Sequence, residues 1–294
     1  MKPCKCPSRY IPEAVKRPVR QRCGFGCIFC GNPIIEYHHI EEWTKLKKAG
    51  LGHDPAKITL LCDNHHRRAG AGLITKEQVL ARDKSPRNRS SGMTAKEALW
   101  YDGTSCNMHL GGGLRCSDMP IVVPFIAVCV NGRSLLSARV EDHRLLFSVE
   151  ILDEKNNLLL QIRDNELSFS TDSWDARFEG RRLTIVSAGE EVRLQLQFDP
   201  PGTIVVASAT LICDGEKIIV NEECVSVGGR KLINCIAYCS SIALAIGPAP
   251  WGGVCFSIPS RYGAASSAAV VVGGPDVEVH NIAVGGNMWA PPRL

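Results

Sequence analysis

The sequence predicts an α+β protein in which a small ββα domain precedes an all-β domain. Three observations support this: closely spaced cysteines and histidines near the start, a polar segment rich in Ser and Arg, and alternating apolar and polar residues beyond it. We therefore expect a first domain over residues 1–82, a linker over 83–92 and a β-rich domain over 93–294.

The net charge is divided unevenly between these regions. Residues 1–92 contain 18 Lys and Arg against 8 Asp and Glu, a net charge of +10, whereas the remainder contains 16 against 22, a net charge of −6. A basic region beside an acidic one predicts a polyanionic partner such as DNA for the first region only. We expect the acidic region to serve recognition, assembly or sensing, with a homo-oligomer formed through it as one possibility.

Two pairs of metal-ligand residues lie in the basic region. Cys27 and Cys30 are separated by two residues, and so are Cys62 and His65. Zinc prefers four thiolate or imidazole ligands in a tetrahedron, and two such pairs on separate turns supply them. The alternative is buried thiols and a surface histidine, but the paired spacing favours zinc. Cys4, Cys6 and Cys23 are candidates for a second site without an evident fourth ligand.

Three further histidines surround this zinc motif. His38 and His39 lie between the two pairs, at the end of a predicted strand, and His66 directly follows the last zinc ligand, on the first turn of a predicted helix. Adjacent strand residues point in opposite directions, so one of the doublet can share a metal with His66 while the other faces a substrate. A plain zinc ribbon needs no histidine after its last ligand. His53 either helps the metal site or is a solvated loop residue, and the second interpretation is favoured.

This arrangement resembles the HNH endonuclease family, whose fold is a zinc-stapled ββα-metal module. The resemblance covers about residues 9–82 and rests on these residues: Cys27, Cys30, the stretch Tyr37-His38-His39-Ile40, Leu61, Cys62, His65 and His66. It implies a metal-dependent DNA endonuclease that hydrolyses phosphodiester bonds. His39 would be the general base, and His38 and His66 would hold a catalytic Mg²⁺ or Mn²⁺. Cys27, Cys30, Cys62 and His65 would hold the structural Zn²⁺.

One residue departs from the family pattern, because Lys57 precedes Ile58 where the family usually has an asparagine. This keeps a second hypothesis open, a non-catalytic zinc module that binds DNA or protein. A third is a structural or phage-type β protein with an attached nuclease. The layout is similar to bacterial antiviral defence and restriction-type nucleases.

Four arginines flank the site, and they either grip DNA phosphates or are ordinary surface charge: Arg20, Arg22, Arg67 and Arg68.

The region after residue 93 shows the two-residue period of half-buried strands. Phe147, Val149 and Ile151 alternate with polar residues, and so do the apolar residues of 192–198. Asp214-Gly215 is a two-residue hairpin signal. Many short strands at near-regular spacing predict a sandwich or barrel, ranked above a solenoid because no strict repeat is visible.

The start of the chain lacks the apolar stretch of a signal peptide, and no run has the length of a membrane helix. We therefore expect a cytoplasmic protein with reduced thiols and no membrane partner.

Overall fold

The computed structural model describes residues 10–49, 52–99, 106–119, 124–142, 144–187, 191–238, 241–261, 263–273 and 276–285. The chain divides into two compact units. The first unit comprises Met1–Glu97, Ser168–Phe178 and Ser187–Gly189, and the second comprises Ala98–Leu167, Glu179–Val186 and Glu190–Leu294.

The first unit carries five helices and a two-stranded sheet among its described residues. The helices are α1 (Glu13–Cys23), α2 (Trp43–Lys48), α3 (Asp63–Gly70), α4 (Lys76–Lys84) and α5 (Arg87–Ser91), and the strands are β1 (Glu36–His39) and β2 (Ile58–Leu61). A 3₁₀ turn over Pro55–Lys57 leads into β2. The two strands are antiparallel, with His38 opposite Thr59 and His39 opposite Ile58. The order β1, β2, α3 is the ββα order that the sequence predicts.

The core of the first unit forms between α1 and β2. Val15, Val19 and Cys23 follow one another at four-residue spacing, so they share one face of α1, and all three are buried. Every residue of β2 is buried as well. These side chains belong to one apolar cluster, which fixes the sheet against the helix.

The first unit extends beyond the boundary expected from composition. The segment 83–92, predicted as a linker, contains the end of α4 and the whole of α5. Asn88 within it is 1% exposed and donates hydrogen bonds to the carbonyl oxygens of Gly24, at 2.9 Å, and Gly31, at 3.3 Å. The polar residues of this segment give it the composition of a linker. In the structure, the polar side chain of Asn88 instead satisfies backbone carbonyls inside the first unit. Residues 168–178 also join this unit, an association that local composition does not reveal.

The second unit consists of strands, and this confirms the expected β-rich region. Together with the three strands that straddle boundaries between the units, β3, β10 and β11, they are β3 (Glu97–Ala98), β4 (Cys106–Leu110), β5 (Leu114–Met119), β6 (Phe125–Val130), β7 (Arg133–Glu141), β8 (Arg144–Leu152), β9 (Leu158–Arg163), β10 (Glu166–Phe169), β11 (Asp175–Glu179), β12 (Arg182–Val186), β13 (Val192–Asp199), β14 (Thr203–Cys213), β15 (Glu216–Val220), β16 (Val225–Val227), β17 (Arg230–Ile233), β18 (Cys235–Tyr238), β19 (Ile242–Ile246), β20 (Val254–Ile258), β21 (Ala268–Val271), β22 (Glu278–His280) and β23 (Ala283–Gly285).

These strands form two large sheets. One runs in the order β21-β20-β19-β6-β7-β8-β9, and the other in the order β22-β17-β16-β15-β14-β4-β5-β18-β23, with β12 and β13 attached through β14. The rings of Phe147 on β8 and Phe198 on β13 lie 5.5 Å apart, so side chains of the two sheets meet in one core.

The period-two pattern predicts the antiparallel strands better than the parallel ones. In β8, Phe147, Val149 and Ile151 are buried as predicted. Asp214 and Gly215 both have positive φ, 49° and 73°, and connect β14 to β15 as the two-residue hairpin that the sequence predicts. By contrast, β19 pairs in parallel with β6 and β20, and all its residues are buried, so it has no alternation to detect.

Across the described residues, no helix combines the length and the hydropathy needed to cross a membrane.

Candidate metal centre and histidine groove

A tight turn presents the first pair of cysteines. The backbone N–H of Cys27 donates to the carbonyl of Asn32 at 2.9 Å, and that of Gly31 donates to the carbonyl of Cys27 at 2.8 Å. Gly31 has φ +82°, and a Cβ there would lie 2.4 Å from Oδ1 of Asn88. Only glycine fits this position without displacing a buried side chain. The turn therefore depends on α5, which lies in the segment predicted as a linker.

The four predicted zinc ligands come together in the structure. Their ligand atoms all lie within 4.8 Å of one another. Sγ of Cys62 is 3.1 Å from Nδ1 of His65 and 3.6 Å from Sγ of Cys30, and Sγ of Cys27 is 3.5 Å from Nδ1 of His65. Zinc bonds of about 2.0–2.3 Å in a tetrahedron place ligand atoms roughly 3.5–3.8 Å apart. The cluster can therefore hold a structural metal such as zinc.

Local structure fixes the second pair of ligands as well. Cys62 is the N-cap of α3 and His65 lies in its first turn, which places both side chains at the same end of the helix. The ring of Phe29 stacks on the ring of His65 with centroids 5.1 Å apart. The Cys30 side chain, by hydrogen bonding, lowers the pKa of Cys27 to about 5. A thiolate is the form that binds zinc, so one ligand is already favoured in that form.

His38 and His66 meet beside this cluster. Their rings are edge to face with centroids 5.1 Å apart. A carboxylate oxygen of Glu36 lies 3.2 Å from Nδ1 of His66, because Glu36 and His38 are two residues apart on β1 and share its face toward α3. Burial, and then the charge of His66, lowers the pKa of His38 to about 4. His38 is thus a neutral imidazole at neutral pH, the form that binds a metal.

His39 points to a different set of neighbours. Its ring lies 5.4 Å from that of Trp43 and 5.3 Å from that of His53. Nε2 of His39 is 3.1 Å from Nδ1 of His53. His53 is 0% exposed, so the interpretation of His53 as a solvated loop residue is wrong. Its position in a polar loop hid its burial, because Trp43 covers it from a separate helix.

The three predicted catalytic histidines line one open groove. Its volume is about 440 Å³, and His38, His39 and His66 share its lining with Tyr37 and Trp43. Two imidazoles and a nearby carboxylate suit a first-row divalent metal, and imidazole ligation leans toward Mn²⁺ over Mg²⁺. His38 and His66 are thus of the residue type that such a metal binds, and a metal here stays a prediction of the family resemblance. Glu36 belongs to no motif in the sequence, although the two-residue period of β1 pairs it with His38.

Arg20 does not have the predicted role as a phosphate contact. It is 1% exposed, and its Nε and Nη2 donate to the two carboxylate oxygens of Asp175 at 2.7 and 2.6 Å. Nη1 donates to the hydroxyl of Tyr37 at 2.7 Å, and Glu13 accepts another hydrogen bond from Nη2. The guanidinium lies on the buried side of α1, so it is a structural ion-pair residue that DNA phosphate does not reach.

Arg22 likewise binds other groups of the protein. Its guanidinium donates to the carbonyls of Pro55 at 2.8 Å and Ile58 at 2.5 Å, and it pairs with Asp83 at 3.1 Å. These carbonyls flank Lys57, whose own carbonyl accepts a hydrogen bond from the N–H of Ile40 at 2.8 Å. The loop that carries Lys57 is therefore held through backbone contacts and Arg22. The Arg22 side chain is 32% exposed, so its phosphate contact stays a prediction.

Of the remaining predicted residues, the arginines are exposed and Cys23 is buried. Arg67 and Arg68 are exposed on α3, and Arg67 pairs with Asp63 at 3.0 Å. Cys23 is fully buried, with Sγ 3.6 Å from Oγ1 of Thr59 and 3.7 Å from a carboxylate oxygen of Asp83, and burial raises its pKa to about 11. Cys23 thus lies in a packed environment away from the four-ligand cluster. Cys4 and Cys6 lie outside the described residues.

Comparison with protein-family models, curated proteins and solved structures finds no match to the chain. The relationship to HNH endonucleases stays a prediction from the motif.

Proposed function

We propose that the protein is a metal-dependent DNA endonuclease whose first unit hydrolyses phosphodiester bonds. The observation that carries the proposal is the groove in which His38, His39 and His66 come together beside the Cys₃His cluster. A closed four-ligand site accounts for fold stability, but it does not account for three additional imidazoles that line a cavity.

The histidines suit different tasks in this proposal. His38 and His66 would hold the divalent metal, which when bound supplies positive charge to stabilise the phosphate. His39 points away from that pair, lines the same groove and would accept a proton from the attacking water. An imidazole with an ordinary pKa of about 6.5 suits this transfer at neutral pH.

Charge supports DNA as the substrate. Residues 1–92 carry a net charge of +10. Arg67 and Arg68 are exposed directly after His66 on α3, which would bring cationic side chains toward a backbone bound at the groove. Phosphate contacts of this kind provide binding without sequence preference.

The test is cleavage of supercoiled plasmid by the full chain with Mn²⁺, Mg²⁺ or EDTA. We expect nicked or linear product that disappears with EDTA. His39→Ala should lower the rate by ~10²–10⁴ while zinc content and DNA affinity stay near those of the unmodified protein. His280→Ala is the matched control, because His280 is exposed in the second unit and pairs with Glu278. Equal rates for the His39→Ala protein and the control would overturn the assignment of His39.

The second candidate function is a zinc module that binds DNA or protein without cutting. Lys57 at the place of the family's asparagine favours it. The two functions separate in one experiment, because a binding module shifts DNA in a gel but leaves plasmid supercoiled with every metal.

A further inference from the structure

The rings of His39, Trp43 and His53 form a small cluster, of which His53 is the buried member. His53 lies in the loop between α2 and the 3₁₀ turn and is 0% exposed. Its ring stacks on Trp43, with centroids 4.2 Å apart and planes 3° from parallel. The stack fixes the plane of the His53 ring, and Nδ1 of that ring lies 3.1 Å from Nε2 of His39.

We propose that His53 is a positioning residue that holds the His39 imidazole in one orientation and one tautomer for proton transfer. The proposal rests on the proposed function, in which His39 is the proton acceptor. A histidine in that role needs a partner on one ring nitrogen so that the other is directed at the water. His53 supplies the partner at Nε2, which assigns the reacting position to Nδ1 of His39.

The proton balance is consistent with this geometry. The attacking water loses a proton to Nδ1 of His39, and its oxygen forms the bond to phosphorus. The bond from phosphorus to the 3′-oxygen breaks, and that oxygen takes a proton from solvent. His39 is then an imidazolium whose Nε2–H donates to Nδ1 of His53. His53 therefore acts through His39 and does not touch the reacting atoms.

Two substitutions separate positioning from simple packing. His53→Phe keeps an aromatic ring to stack on Trp43 and removes the nitrogen. His53→Asn loses ring volume but places an amide near the position of Nδ1. A packing role favours the Phe protein, whereas a positioning role favours the Asn protein.

The experiment measures single-turnover plasmid cleavage with Mn²⁺ for the full-length proteins, alongside thermal unfolding and zinc content. For His53→Phe we expect a cleavage rate ~10²-fold lower, the effect of misplacing a catalytic group by about 1 Å. Its DNA affinity and zinc content should be unchanged. For His53→Asn we expect a rate between that of His53→Phe and that of the unmodified protein. A His53→Phe protein that cleaves at the full rate, or an Asn protein slower than the Phe protein, would overturn the proposal.

The contact can also be measured without activity, by ¹⁵N NMR of the histidine ring nitrogens. We expect His39 to show one tautomer in the unmodified protein and an averaged mixture in His53→Phe. An identical tautomer population in both would contradict the positioning role. If the unmodified protein does not cleave DNA with any metal but the tautomer is fixed only when His53 is present, the proposed function fails while the contact between the two rings stands.

Discussion

The Cys₃His cluster and the histidine groove are built on neighbouring parts of the same short segment, yet they differ in how complete they are. The cluster gathers four ligand atoms within 4.8 Å. In the groove, the imidazoles of His38 and His66 meet edge to face and line an open space of about 440 Å³. A four-ligand site has no position left for a substrate, whereas a site with fewer protein ligands has. The contrast teaches that the cluster is closed to a substrate, whereas the groove is open to one.

The most severe test of this contrast is the loss of a cluster ligand. Cys62→Ser should remove the bound zinc and unfold the first unit, because a core this small depends on its metal. Metal analysis and thermal unfolding of the full chain measure the two effects. Cys23→Ser is the control, since Cys23 is buried in the same core but lies outside the cluster. A folded Cys62→Ser protein without zinc would show that the cluster has no structural role.

The next largest effect concerns the ion pair that supports β1 from the side of α1. Asp175 is 1% exposed and binds Arg20, which in turn donates to Tyr37 on β1. Asp175→Asn leaves a buried guanidinium without its main counter-charge, and we expect a loss of about 3 kcal/mol in the free energy of unfolding.

Denaturant unfolding of the full chain measures this loss, and Asp63→Asn is the control. Asp63 pairs with Arg67 where both side chains are about 70% exposed, so its removal should cost less than about 1 kcal/mol. If both substitutions have equally small effects, Arg20 is not held by Asp175, and its prediction as a phosphate contact returns.

These two regions also show how far the sequence predicts the site. The spacing of Cys27, Cys30, Cys62 and His65 predicts the cluster because each pair lies on one turn, where local geometry decides the distance. The sequence likewise predicts the order β1, β2, α3. Residues that arrive from distant segments leave no such signal. Asn88, which supports the zinc turn, lies in a segment with the composition of a linker, and Asp175 is 155 residues away from Arg20.

The errors follow from the same limit. Arg20 lies near the motif in sequence, and charge alone cannot distinguish an exposed guanidinium from a buried one. The polarity of its loop predicts a solvated His53, but Trp43 on α2 covers it. In the second unit, alternation of apolar and polar residues identifies strands that have one solvent-exposed face. Fully buried parallel strands such as β19 lack that pattern.

Glu36 provides a test that affects the groove alone. Its carboxylate lies 3.2 Å from Nδ1 of His66, as the outer partner of a metal-binding imidazole does. Glu36→Ala should weaken Mn²⁺ binding at the groove by ~10–100-fold and leave the zinc content unchanged. Electron paramagnetic resonance titration with Mn²⁺ measures the affinity. Glu42→Ala is the control, since Glu42 also lines the groove. Unchanged Mn²⁺ affinity in Glu36→Ala would place the metal elsewhere.

The smallest expected effect is the loss of DNA affinity when one exposed arginine is removed. We expect this loss for an arginine of the first unit and not for one of the second. Arg68 is exposed on α3, directly after the groove histidine His66 and Arg67. If it contacts one phosphate, Arg68→Ala should weaken binding to every DNA sequence about equally. It should also reduce the slope of log affinity against log salt by about 1, because one fewer counterion is released.

Fluorescence anisotropy with short duplexes, measured over a range of salt concentrations, gives this slope. Arg144→Ala is the matched control, because Arg144 is exposed on β8 in the acidic second unit and should leave the slope unchanged. Equal changes of the slope in the two proteins would indicate that DNA affinity depends on the net charge of the chain. A change confined to Arg68→Ala would instead locate the phosphate contact on the helix that carries His66, next to the groove.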